Sequence, residues 1–145
     1  MRIASIIAGV LLGLLFVASG VMVLFKLVPM PPLPEGTPPA HFMAALAPTG
    51  YLTFVKVLEV VGGGLVAFPR TRRMGLLVLG PIIVNILAFH AFVTGGAGLF
   101  GPLVLLVCAL ALFLVWAERA AFRQFLLLSQ RSEIQTANPN LNPVP

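Results

Sequence analysis

Residues 51–93 read YLTFVKVLEVVGGGLVAFPRTRRMGLLVLGPIIVNILAFHAFV. Two apolar runs, about 51–68 and 74–93, are parted by Pro69 and the basic segment Arg70-Thr71-Arg72-Arg73. Each run is close to the ~20 residues that an α-helix needs to cross a bilayer. A proline followed by three arginines breaks the helix and marks a turn held at a polar boundary. The segment reads as a helical hairpin inside a membrane.

The rest of the chain extends that reading in both directions. Upstream, the apolar run 3–28 is interrupted only by Ser5, Ser19 and Lys26. Arg2 before it and Val17-Ala18-Ser19 within it have features of a secretory signal. Signal cores are only about 7–15 residues long, however, so this run is read as an uncleaved span. A connection over 29–50 follows, so dense in proline that regular helix is unfavourable until about Ala40 to Ala47, where a short interfacial helix is expected. Downstream, Thr94-Gly95-Gly96-Ala97-Gly98 is a turn and 99–117 a fourth run. The expected architecture is all-α: a polytopic membrane four-helix bundle forming one domain over 1–126, with spans at about 3–28, 51–68, 74–93 and 99–117. A polar tail at 127–145 is expected to be disordered.

Composition supports a lipid-solvated surface. Of 145 residues, 59% are hydrophobic and 9% charged, with a mean hydropathy of +1.07. A soluble domain carries about 25% charged residues, so there are too few here to wet a globule. The net charge of +5 would suggest nucleic acid in a soluble protein. Here the basic residues are sorted by side instead. Arg2, Arg70, Arg72, Arg73, Arg119, Arg123 and Arg131 share one face of a four-span arrangement. Lys26 alone lies near the other, and Lys56 is within a span. By the positive-inside rule both termini are expected in the cytoplasm, with no nucleic-acid partner. The single cysteine, Cys108, cannot form a CxxC redox pair, an internal disulfide or a cysteine zinc site, and it reads as a small buried hydrophobe. No metal site is expected.

Polar residues within the spans are the candidates for chemistry, because a charge at a helix centre costs roughly 2.5–3.5 kcal/mol on insertion scales. Lys56 and Glu59 are three residues apart, share a helix face and can pair. They read either as a structural pair or as the polar floor of a pocket. Asn85 lies at the depth of Glu59, each roughly 15–18 Å from the arginine turn at 1.5 Å per residue, and can hydrogen-bond it or act as helix glue. Pro81, one turn before Asn85, is expected to kink the helix. His90 lies about 140° around the helix from Asn85 at 100° per residue, so the two can border the interior only at opposite edges of one face. A bis-histidine haem would need His41, in the proline-rich connection, as its second ligand. Gly9 and Gly13, a GxxxG pair, and Gly62, Gly63 and Gly64 are expected to allow close helix packing.

Several of these segments together resemble the DoxX family of small bacterial membrane proteins. They are Ala18-Ser19-Gly20 with Lys26-Leu27, His41-Phe42-Met43-Ala44-Ala45-Leu46, and Gly50-Tyr51. To these add Lys56-Val57-Leu58-Glu59-Val60-Val61-Gly62-Gly63-Gly64, the run from Pro81 through Asn85 to Phe89-His90, and Trp116-Ala117-Glu118-Arg119 with Phe122-Arg123. The resemblance covers about residues 5–126. It implies a four-helix protein of the bacterial cytoplasmic membrane. Some members resemble the membrane subunit of a thiosulfate:quinone oxidoreductase, others are linked to oxidative-stress complexes, and distant relatives act as non-enzymatic cargo receptors or assembly chaperones. A family supports a fold more than a reaction.

Two functions follow as expectations. One is a redox-associated subunit that binds quinone near His90, Lys56 and Glu59, carries no covalently bound cofactor, and takes its electrons from a partner protein. The other is a binding or assembly protein whose polar cluster holds a lipid-like ligand or a client helix, alone or as a homo-oligomer. A permease is disfavoured by the lack of a visible inverted repeat.

Overall fold

The computed structural model describes residues 2–29 and 32–120. The expected tail and two of the sorted arginines, Arg123 and Arg131, lie outside the described residues. Five α-helices form, with no strand among the described residues: α1 (Arg2–Leu24), α2 (Pro38–Leu46), α3 (Tyr51–Ala67), α4 (Arg72–Ala88) and α5 (Pro102–Ala117). By length and composition α1 can cross a membrane, and so can α4 together with the π-helical turn Phe89–Val93 that extends it.

The boundaries differ from the sequence reading at three places. The first helix stops at Leu24, not at residue 28. Lys26 takes a left-handed conformation, φ 51°, and Leu27 N–H donates to Met22 O while Lys26 N–H donates to Val23 O. This is a Schellman stop, built with lysine at a position that usually holds glycine. Arg72 and Arg73, read as a turn, are the first residues of α4. The last helix starts at Pro102 rather than Leu99, because proline suits the first helical position, where an N–H is not needed. The short helix expected near Ala40 forms as α2 and runs through Ala47–Thr49 as a 3₁₀ turn. It meets α3 at 85° across Gly50, φ 74°, a left-handed angle open to glycine at little steric cost.

The long helices pack in a cycle, α1 on α3, α3 on α4, α4 on α5 and α5 back on α1, with the α4–α5 side the lightest. The buried core is drawn from one stripe of each: Ala8, Leu12 and Phe16 of α1, Val66 of α3, Leu76, Leu79, Ile82 and Ile83 of α4, and Leu114 of α5. Phe42 of α2 packs against Phe89 in a tilted arrangement, ring centroids 5.2 Å apart, which ties the short helix to the end of α4.

Glycine sets the spacing of α1 and α3. A Cβ on Gly13 would fall 2.5 Å from Gly63 O, and one on Gly63 would fall 2.8 Å from Gly13 O. Backbone therefore meets backbone, the close approach that small residues allow between membrane helices. Gly9 and Gly62 also stand at tight contacts, as the sequence suggested. Gly64 does not: nothing lies within 4 Å of its Cβ position, because at 100° per residue it turns away from both neighbours. Gly75, which the sequence reading passed over, abuts the Val66 backbone and closes α4 onto α3. Pro81 is exposed and α4 remains helical through it. A π turn, Phe89–Val93, follows two turns later.

Candidate functional site

α1 and α3 come so close at Gly20 and Val60 that Ser19 of one reaches Glu59 of the other. Lys56 Nζ donates to both carboxylate oxygens of Glu59 at 2.8 Å and to Ser19 Oγ at 3.3 Å. Ser19 Oγ donates to Glu59 Oε2 at 3.2 Å. An ammonium has three N–H bonds, and each has an acceptor here. Glu59 is 3% exposed. Two opposite charges in bonding contact, with a hydroxyl bridging them, cost much less to bury than either ion alone. The expected pair is present and has a third member.

Above the triad is a cavity of about 210 Å³. Ser19, Lys56, Glu59 and His90 supply its polar groups. Phe16, Ile83, Ile86 and Leu87 give apolar wall, and α5 closes it with Leu103, Val104, Val107 and Cys108. A cavity of about 150 Å³ lined by apolar groups accepts benzene, so this one has room for a single ring.

His90 is held by the π turn and the glycine turn after it. Its Nδ1 is 2.9 Å from Ala97 O, while Thr94 Oγ1 donates to His90 O at 2.8 Å or to Ala97 O at 2.6 Å. The ring also lies against Gly98, where a Cβ would be 3.0 Å from it. A carbonyl oxygen can only accept, so Nδ1 carries the hydrogen of that bond. In the neutral ring Nε2 is then an acceptor. Gly98 thus has a positioning role that composition alone does not reveal.

Asn85 stands apart. It is exposed on the outer surface of α4 and makes no side-chain hydrogen bond among the described residues. Of its two sequence readings, the bond to Glu59 does not form among the described residues. Ile83, Ile86 and Leu87 occupy the inward face at that level, and Asn85, at 100° per residue, is turned out between them. The two edges allowed for Asn85 and His90 resolve in favour of His90. Ser19 and Cys108 were missed as cavity residues, because their membership depends on which helices become neighbours. The single hint was that a hydroxyl interrupts an otherwise apolar run at Ser19.

A second polar cluster joins the opposite ends of α4 and α5. Arg72, 3% exposed, places Nη1 3.5 Å from Glu118 Oε1 and donates from Nε to Val66 O at 3.4 Å. Arg73 Nε reaches Glu118 Oε2 at 3.3 Å. Gly9 makes room for the Arg72 guanidinium, whose Nε would lie 2.9 Å from a Cβ there.

Family models, curated proteins and solved structures offer no match to this chain.

Proposed function

We propose that this chain is a four-span membrane protein that binds a lipid-soluble, single-ring ligand of the quinone class as the membrane subunit of a redox system, in line with its resemblance to the DoxX family. The observation that carries this reading is the cavity, where a histidine acceptor and a buried ion pair face apolar wall inside helices long enough to enter a bilayer. Ligand sites of this kind combine mostly apolar lining with a few placed polar groups. His90 Nε2 accepts a hydrogen bond from a ring hydroxyl of the reduced, quinol form, and the triad of Ser19, Lys56 and Glu59 exchanges one of its internal bonds for a ring oxygen. The quinone supplies the redox chemistry and the partner protein the electrons. The light α4–α5 contact is the natural exit for an isoprenoid tail. The bacterial cytoplasmic membrane, with the arginine-bearing end inside, is the setting this reading requires.

The test is ligand-linked stability. A ligand at about a hundred times its Kd stabilises a folded protein by ~2.7 kcal/mol, so ubiquinol or menaquinol analogues, the reduced forms that carry the ring hydroxyl, should raise the Tm of the purified protein. The rise should largely vanish in His90→Leu while the unliganded Tm moves little. No rise in the wild type with any analogue would sink the quinone reading.

Asn85 favours a second reading. A polar amide on the outer surface of a membrane helix calls for a hydrogen-bonding partner, which suits a binding or assembly protein holding a client helix or a second copy.

A further inference from the structure

The recess beneath the second polar cluster is strongly basic. Arg2, Arg72 and Arg119 line it, with Pro69, Trp116 and Glu118. Three arginines against one glutamate leave two positive charges in excess. The one carboxylate there among the described residues is already shared, since Glu118 contacts both Arg72 and Arg73.

Three observations show that the excess is costly without an anion. First, α1 and α4 both begin at this end, with no acidic residue in the first turn of either. Helix N-termini carry partial positive charge and favour anions, yet these two bear Arg2, Arg72 and Arg73. Second, Arg72 is 3% exposed and its Nη2 has no hydrogen-bond partner among the described residues. A buried donor left unpaired is destabilising, and a charged one more so. Third, Arg119 is pre-positioned. Its guanidinium stacks over the Trp116 ring at 4.3 Å and donates from Nη1 to Trp116 O at 3.1 Å, which leaves most of its five N–H donors for another acceptor.

We infer that this recess binds the phosphate of an anionic phospholipid headgroup. Guanidinium groups bind phosphate oxygens through paired, charge-assisted hydrogen bonds. Trp116, half-exposed at the end of the apolar helix α5, marks the level at which indole rings sit among headgroups. That depth favours a lipid over a soluble phosphate. The site is separate from the cavity at His90 and does not depend on what that cavity holds.

Native mass spectrometry of the full chain, titrated with phosphatidylglycerol or phosphatidylcholine, tests the inference. The expected result is preferential retention of phosphatidylglycerol, weakened about fivefold in Arg119→Gln and again in Arg2→Gln, the usual loss per basic residue at a charged membrane surface. Both side chains are exposed, so neither variant threatens the fold as Arg72→Leu would. Arg70→Gln removes the same charge from the same end but outside the recess, and it should retain the preference. Equal retention of the two lipids overturns the site. So does an equal loss in Arg70→Gln, which would reduce the effect to diffuse charge. Inorganic phosphate that competes as well as phosphatidylglycerol at equal concentration overturns the assignment to a lipid.

Discussion

Lys56 has as many acceptors as it has N–H bonds, and Glu59 is almost wholly enclosed. Breaking such a pair leaves one uncompensated charge, at a cost of about 3–5 kcal/mol, whereas replacing both partners with apolar residues is often near neutral. Glu59→Gln should therefore lower the Tm and folded yield more than the double change Lys56→Met/Glu59→Leu does. Equal melting temperatures for wild type and Glu59→Gln would rule out a buried charged pair. The pair was legible because both members sit on one helix, where spacing fixes their proximity. Ser19 was not, since its bond to Glu59 spans 40 residues of sequence and exists only once α1 has docked. Asn85 failed for a related reason. Its depth followed from counting residues, but which side of α4 faced inward depended on a packing choice that Gly75 and Leu79 make.

At the level of elements, the three consecutive glycines of α3 offer a contrast within one turn. Gly63 meets the backbone of Gly13, which cannot move aside without parting the helices, while Gly64 meets nothing. Gly63→Ala should destabilise the protein by about 1–3 kcal/mol, the usual range for overpacking. Gly64→Ala should stabilise it by about 0.5–1 kcal/mol, because alanine is the better helix residue where space is open. Thermal unfolding of both variants in the same detergent gives the sign directly, and a loss of stability in Gly64→Ala would mean that its face is covered. Helix number and rough extent could be read from apolar runs. The ends could not, because they rest on local geometry: a left-handed Lys26, Pro102 at a first helical position, and Arg72 drawn into α4 by the space over Gly9.

For the whole molecule, helix length bears on how many helices cross. At 1.5 Å per residue α3 and α5 are about 25 Å and 24 Å long, short of the roughly 30 Å hydrocarbon core. Short helices still span where the bilayer thins or where flanking arginine and tryptophan reach the interface, and Arg70, Trp116 and Arg119 stand at those ends. The ion pair of Arg72 with Glu118 and the recess shared by Arg2 and Glu118 place the start of α1, the start of α4 and the end of α5 together. The proposed path of four crossings brings those three ends to one side of the membrane. Single cysteines in a Cys108→Ser background can count them, at the exposed positions Glu35→Cys, Arg70→Cys, Ala97→Cys and Ala120→Cys. In intact cells, the proposed orientation with the arginine-rich end inside predicts that a membrane-impermeant maleimide labels positions 35 and 97 and spares 70 and 120. Labels on 35 and 70 alike would mean that α3 does not cross. Labels on 97 and 120 alike would say the same of α5, and would leave a cavity wall that lies on the membrane instead of spanning it.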